Sequence, residues 1–465
     1  MNVVLVTVDC LRRDRCGIYG HHRDTTPTLD AVARDGFVYD RAMSTGPVTT
    51  ESFPGILAGR LSAQTVTRDT IYQKCIPEGE PTLASHLQDQ GYSTTAVISN
   101  PRIGPHVASD RGFEIFRNLR NSEDDDSQPE SDGLLPDMKV GSRLYNIRER
   151  MRTFDSPPLR YEVPFLGFRT YQYLSGWPSV RGESVVDEFL EALSGTDSPF
   201  FGWTHLMDVH GPIHPAAARR GDDVDGLLRQ FRSQARRVSD TPDARTEYRY
   251  DGAVRYVDEQ LGRIVDWLQD RGLWDETALI VTSDHGDALM DRGIYGHPQH
   301  YTYEELLSVP LVVRVPGEDG ERIERPFSLG WLHELVCESC DVSHMDAPLS
   351  SSVDPLSDAG EGETVLADSI SHRGHSVVAR QGDTKYVTQT DELEEPDEVE
   401  VGTPGVYRLD RDPMERTTVE EAVPELEAAA EEVALDDPES LRSRAESSGI
   451  DAATRDQLKQ LGYAE

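Results

Sequence analysis

Two apolar runs, far apart in the chain, each end on an acid. Asn2-Val3-Val4-Leu5-Val6-Thr7-Val8 stops at Asp9, and Thr277-Ala278-Leu279-Ile280-Val281-Thr282 stops at Ser283-Asp284-His285-Gly286-Asp287. Both runs are rich in β-branched residues and lack polar alternation, so they read as buried strands leading into turns. Open α/β sheets build their sites outside the carboxyl ends of such strands. Asp and neutral His are good ligands for a divalent metal, which makes Asp9, Asp284 and His285 a candidate metal set. Asp-Gly and Ser-Asp also mark ordinary turns, and an acid closing a strand can simply cap the next turn or helix. It is the pairing of two such strands that favours a site.

Strand-like and helix-like segments alternate from Met1 to about Pro316. This predicts an α/β fold with a mostly parallel central sheet and helices on both faces. Clear strands fall at Thr94–Ser99, Phe200–Thr204, Leu279–Thr282 and Leu311–Val315. A helix is predicted over Val254–Arg271, where Val254, Val257, Leu261, Ile264, Val265 and Leu268 recur at helical spacing. Residues from about 118 to 182 break the rhythm and read as an insertion over one end of the sheet. The partition is an α/β domain over 1–345, a small antiparallel C-terminal subdomain over 346–419 and an acidic helical tail over 420–465.

The net charge is −38, from 84 acids against 46 bases, and lysine occurs only four times. An acid-rich, lysine-poor exterior suits concentrated salt, where repulsion is screened, and points to a halophilic cytoplasm. It argues against nucleic acid or an anionic membrane as the main partner. Five cysteines give no disulfide framework, and Cys337-x-x-Cys340 reads as two reduced thiols on a helix. No signal-type leader and no apolar stretch long enough to span a bilayer stands in the sequence, so a soluble cytoplasmic protein is expected.

Gly46-Pro47-Val48-Thr49-Thr50-Glu51-Ser52-Phe53-Pro54-Gly55-Ile56-Leu57-Ala58-Gly59 reads as a turn entering a short helix. Thr49 and Thr50 stand at its start, where free N–H groups and the dipole favour an anion. A hydroxyl there, beside a metal, can be deprotonated and attack phosphorus or sulfur. The alternative is that both threonines are helix caps.

In order along the chain stand the strand ending in Asp9, Thr26-Pro27-Thr28-Leu29-Asp30, the hydroxyl-led helix closing on Leu57-Ala58-Gly59, and His205-Leu206-Met207-Asp208-Val209-His210-Gly211-Pro212. Ser283-Asp284-His285-Gly286-Asp287 and Tyr303-Glu304-Glu305-Leu306-Leu307-Ser308-Val309-Pro310-Leu311 come after them. Together they resemble the sulfatase-like branch of the alkaline phosphatase superfamily. Arg408–Glu415 and Leu461-Gly462-Tyr463 are similar to the family's closing segments.

The resemblance implies a metal-dependent ester hydrolase or transferase with its nucleophile on Thr49, or one residue away on Thr50. Sulfatases carry a Cys there, matured to formylglycine within Cys-x-Pro-x-Arg. Threonine cannot be matured in that way, which turns the expectation towards a phosphate ester cleaved through a covalent Thr intermediate. A sulfuric ester hydrolase working without formylglycine and a non-catalytic anion-binding relative are the alternatives. Cys10 stands where sulfatases have a second acid, and His285 where they have Asn. That exchange favours Mn or Zn over Ca, with Mg also possible, in a single site held by Asp9, Asp284 and His285. A second metal, drawing on His205 and Asp208, stays open.

His210 matches the family's leaving-group histidine in His-x-x-Asp-x-His-x-Pro. His297 matches a substrate- or metal-binding position, with His300 as the alternative alignment. Asn100 and His106 are pocket candidates, although the Lys-Trp-His pattern of many sulfatases is absent. Arg12 is a candidate contact for the substrate anion, with pairing to nearby acids as its alternative. The implied substrate is a small-molecule, glycan-linked or lipid-linked anionic ester.

Overall fold

The computed structural model describes residues 1–67, 73–119, 180–211, 213, 244–358, 362–371, 374–390 and 404–435. Most of the insertion expected over 118–182, and the tail beyond 435, lie outside the described residues.

The main sheet is built from β1 (Asn2–Val8), β2 (Phe37–Met43), β3 (Ser93–Ile98), β4 (Ile115–Asn118), β5 (Phe200–Leu206), β6 (Thr277–Ser283), β7 (Leu311–Arg314) and β8 (Arg322–Ser328). Their order across the sheet is β8-β2-β7-β6-β1-β5-β3-β4. Only β7 runs antiparallel to its neighbours β2 and β6; every other pairing is parallel. The predicted mostly parallel sheet is therefore found, and it continues past Pro316 to take in β8.

Every residue of β1, β5 and β6 is buried, which is why these strands read as continuous apolar runs. Period-two alternation sorts their side chains onto two cores. Val3 and Leu5 of β1 join one core with Phe201, Trp203, Ala278 and Ile280. Val4, Val6 and Val8 join the other with Phe200, Leu206, Leu279 and Val281. The first core packs under α2 (Thr49–Ala58), α3 (Leu83–Asp89) and α6 (Leu332–Cys340); the second under α1 (Pro27–Val32), α4 (Gly182–Ser194) and α5 (Ala244–Asp270). Helices thus cover both faces, as expected. The periodic stretch from Val254 belongs to α5, which begins about three turns earlier than its apolar stripe alone indicates.

The C-terminal strands β9 (Val365–Ser371), β10 (Gly374–Gln381), β11 (Thr384–Thr390) and β12 (Gly405–Arg408) form an antiparallel sheet, covered by α7 (Pro424–Val433). This sheet is anchored to the start of the chain: the Asp368 N–H donates to Thr45 O at 2.9 Å, and the Asp368 carboxylate takes the N–H groups of Ser62 and Ala63. Buried Glu51 of α2 accepts from Ser369 Oγ and from the Ile370 N–H. The helix carrying Thr49 is therefore held between the two sheets. No helix among the described residues is long and apolar enough to cross a membrane.

Candidate metal and nucleophile site

Parallel strands bring their carboxyl ends to one edge, and the register sets the functional residues side by side. Val8 lies opposite both Ser283 and Leu206, so Asp9 and Asp284 leave the sheet together. Ile98 lies opposite His205, which brings Asn100 to the same level. Alternation puts Thr7, His205 and Thr282 on the face that α2 covers. Thr49 is the first residue of α2; its N-cap is Val48, and no side chain caps the helix. The cap reading of Thr49 gives way to another contact, in which its buried Oγ1 stands 3.3 Å from His285 Nε2.

Around that hydroxyl the polar groups are fully buried. Asp9 and Asp284 have no solvent exposure, and neither do His205 and His285. His285 Nδ1 donates to Gly286 O at 2.7 Å, which leaves the Nε2 lone pair facing inward. That lone pair stands 3.5 Å from Asp284 Oδ2 and 3.9 Å from Asp9 Oδ1. Asp284 Oδ1 accepts the N–H groups of His285 and Cys10, whereas Asp284 Oδ2 has no hydrogen-bond partner. An orphaned buried carboxylate oxygen and an inward imidazole lone pair are what a divalent cation needs. The residues present therefore fit a metal, and Asp9, Asp284 and His285 are among those that could hold it.

A second ring approaches from β5. Trp203 Nε1 donates to Thr7 Oγ1 at 3.0 Å, and the Thr7 hydroxyl is placed to donate to Thr204 O. His205 Nδ1 lies 2.9 Å from Thr7 Oγ1. Its Nε2 lies 3.3 Å from Asn100 Nδ2 and 3.4 Å from Asp9 Oδ2. His205 groups with Asp9 and Asp284 at metal-ligand separation.

His210 and His297 stand together across the site, ring centroids 4.9 Å apart, and His297 lies 4.6 Å from the His285 ring. Asp287 Oδ1 holds His297 Nδ1 at 3.0 Å. Burial alone would lower the His297 pKa, but this bond and the Asp287 charge outweigh it and raise the value. His210 lacks such a partner, and burial brings its pKa down to about 4. Beside Thr49, a small cleft is lined by Thr50, Phe53, Lys74, Arg102 and Ser109. Lys74 on that wall is buried and donates its Nζ to Ile370 O at 2.9 Å.

The other candidates are sorted by their contacts. Arg12 gives its guanidinium to Asp14, Asp291 and the Asp287 carbonyl, so the pairing alternative describes it rather than contact with a substrate anion. Asp208 accepts the Gly182 N–H at 2.8 Å, and burial raises its pKa to about 7; it makes no contact with the centre. His300 is bound to Ser371 and Ser376 of the C-terminal sheet, which leaves His297 as the histidine at the site. His106 stays on a turn whose carbonyl accepts from Cys75. Asn100 donates to Asp9 Oδ2 at 3.0 Å, which makes it a direct partner of the metal set and more than a pocket wall. Sequence reasoning assigned no role to Asp287, and none to Cys10 beyond the acid it replaces. In the fold, Cys10 Sγ lies 2.9 Å from Asp9 Oδ1.

The profile of the Sulfatase family matches residues 1–338. The chain belongs to the Sulfatase family. Human iduronate 2-sulfatase is 24% identical over 359 residues, covering 70% of this chain and 62% of that protein. An arylsulfatase of Clostridium perfringens is 24% identical over 403 residues, covering 77% of each. Several curated relatives are thus matched over less than two thirds of their own length. Among solved structures, the phosphonate monoester hydrolase of Agrobacterium radiobacter superposes with a TM-score of 0.61 at 21% identity, covering 95% of each chain. A protein of Bacteroides thetaiotaomicron described as a sulfatase gives 0.61 at 16% identity, covering 98% of this chain and 96% of that one. At these identities the superpositions speak for the fold.

Proposed function

We propose that this Sulfatase-family chain is a metal-dependent hydrolase or transferase of a phosphate ester, with Thr49 as nucleophile. The observation that carries it is Thr49 Oγ1, buried at a helix start and 3.3 Å from the inward nitrogen of His285. Asp9, Asp284 and His285 would hold one divalent ion, with Mn or Zn favoured by the imidazole and Mg or Ca as alternatives. Bound there, the ion would neutralise the ester's non-bridging oxygens and lower the pKa of the Thr49 hydroxyl.

Thr49 gives its proton to solvent and attacks phosphorus in line; the Oγ–P bond forms as the bond to the leaving oxygen breaks. His210 protonates that oxygen. Its ring is neutral in the free protein, and the negative charge of an arriving ester raises its proton affinity. His297, its Nδ1 held by Asp287, would bind an ester oxygen. Water or an acceptor alcohol then displaces Thr49 and restores the hydroxyl. The substrate this reading implies is an anionic ester, whether small-molecule, glycan-linked or lipid-linked.

Sulfate-ester hydrolysis is the second reading, favoured by the sulfatases among the relatives. A panel of aryl phosphate monoesters, diesters and sulfates, assayed with Mn, Zn, Mg and Ca, separates the two. Turnover of sulfates alone would sink the phosphoester reading. The acid-rich composition supports work in a salt-rich cytoplasm. A melting temperature that falls as KCl is raised would count against that.

A further inference from the structure

We propose that Cys10 is a thiolate ligand of the same ion, making the centre a mixed sulfur, nitrogen and oxygen site selective for zinc-like over calcium-like metals. The inference rests on the metal reading of Asp9, Asp284 and His285 and adds to it a donor of a different chemical class.

Cys10 is fully buried, immediately after Asp9, and adopts φ 65°, a left-handed conformation that non-glycine residues rarely hold. That conformation turns the Cys10 N–H onto Asp284 Oδ1 at 3.3 Å and sets Sγ 2.9 Å from Asp9 Oδ1. The sulfur lies within metal-ligand separation of both an Asp9 oxygen and a His285 ring nitrogen. Strain of this kind persists where surrounding structure enforces it, and it collects at functional sites.

A second, independent observation comes from Asp284. Its Oδ2 is buried, has no hydrogen-bond partner and belongs to the same centre. Asp9, Asp284 and Asp287 bring three carboxylates around the one thiol, and among the described residues none of the three pairs with a Lys or Arg. On binding, the S–H proton leaves to solvent and the freed lone pair bonds the metal, so the negative charge is met as it appears. Thiolate and imidazole suit Zn and Co, whereas Ca and Mg take all-oxygen sets.

Metal-free full-length protein is loaded with Co(II), and bound metal is measured by elemental analysis alongside the absorption spectrum. The expected result is a near-ultraviolet sulfur-to-cobalt charge-transfer band in the wild type that disappears in Cys10→Ser while cobalt remains bound. Cys10→Asp should lose the band and shift competition between Zn and Ca towards Ca. Cobalt bound to the wild type without the band would overturn the role of Cys10 and leave the Asp9–Asp284–His285 centre standing. A band that survives in Cys10→Ser would also overturn it. No cobalt bound at all would sink the centre itself. The wild-type spectrum needs no variant, so a Cys10→Ser protein that failed to fold would not remove the test.

Discussion

Two of the buried charge clusters are put together differently. Beside the C-terminal sheet, Lys385 Nζ lies 3.1 Å from Glu304 and 2.6 Å from Glu415, and Arg380 lies 2.8 Å from Glu304. Two acids face two bases, and Arg380 and Lys385 overcome burial to bring Glu304 down to about 2. At the carboxyl edge of the main sheet, Asp9, Asp284 and Asp287 face histidines, a thiol, the Asn100 amide and backbone N–H groups, and among the described residues none of their carboxylates pairs with Lys or Arg. One cluster compensates its own charge and ties segments together. The other leaves negative charge and a buried, unpartnered carboxylate oxygen, the arrangement on which the proposed metal site rests.

The contrast can be broken most forcefully at the nucleophile. Thr49→Ala is expected to lower turnover by at least about 10³-fold while metal content is unchanged. Thr50→Ala should keep most of the activity; the reverse pattern in steady-state assays would move the nucleophile by one residue. Asp284→Asn comes next, with metal affinity falling by more than about 100-fold, since even residues behind the ligands contribute that much. Elemental analysis that finds unchanged metal would show that the proposed site is wrongly placed.

At the compensated cluster the effect should be on stability and not on chemistry. Lys385→Met leaves Glu304 and Glu415 facing each other and is expected to cost about 3–5 kcal/mol in urea denaturation. If its metal content changed instead, the two clusters would not be separate in role.

The smallest effect concerns pH, at a buried group in neither cluster. Burial lowers His333 to about 4, and its Nδ1 has no partner while Nε2 donates to Leu349 O. The folded state therefore binds fewer protons than the unfolded one, whose histidine keeps the ordinary value of 6.5. Stability from this group is present above pH 6.5 and is lost as pH falls towards 4, by at most about 3 kcal/mol. A His333→Gln protein should show a flatter dependence of its urea midpoint between those limits.

Much of the fold was legible because β1, β5 and β6 are buried on both faces and so are apolar without alternation. The same runs announced Asp9 and Asp284, since a strand that ends on an acid shows where its carboxyl end lies. The partners of those acids were not legible. Asn100 reaches Asp9 across 91 positions, and His205 across 196. Neither stands in a local pattern that separates it from an ordinary loop or strand residue. Asp287 lay three residues beyond Asp284, but only the folded chain brings His297 to it.

Asp9, Asp284-His285 and a hydroxyl at a helix start were thus determined by the sequence itself, because periodicity and turn chemistry are local. The family resemblance also implied that a threonine, Thr49 or Thr50, stands where a sulfatase has its maturing cysteine. Tertiary structure decided which hydroxyl faces the metal set, by placing α2 on the odd-numbered face of β1. It also decided that Arg12 is held by acids and that Cys10 lies inside the centre. Those outcomes depend on strand register and on the way helices pack, and both are fixed by contacts between residues hundreds of positions apart.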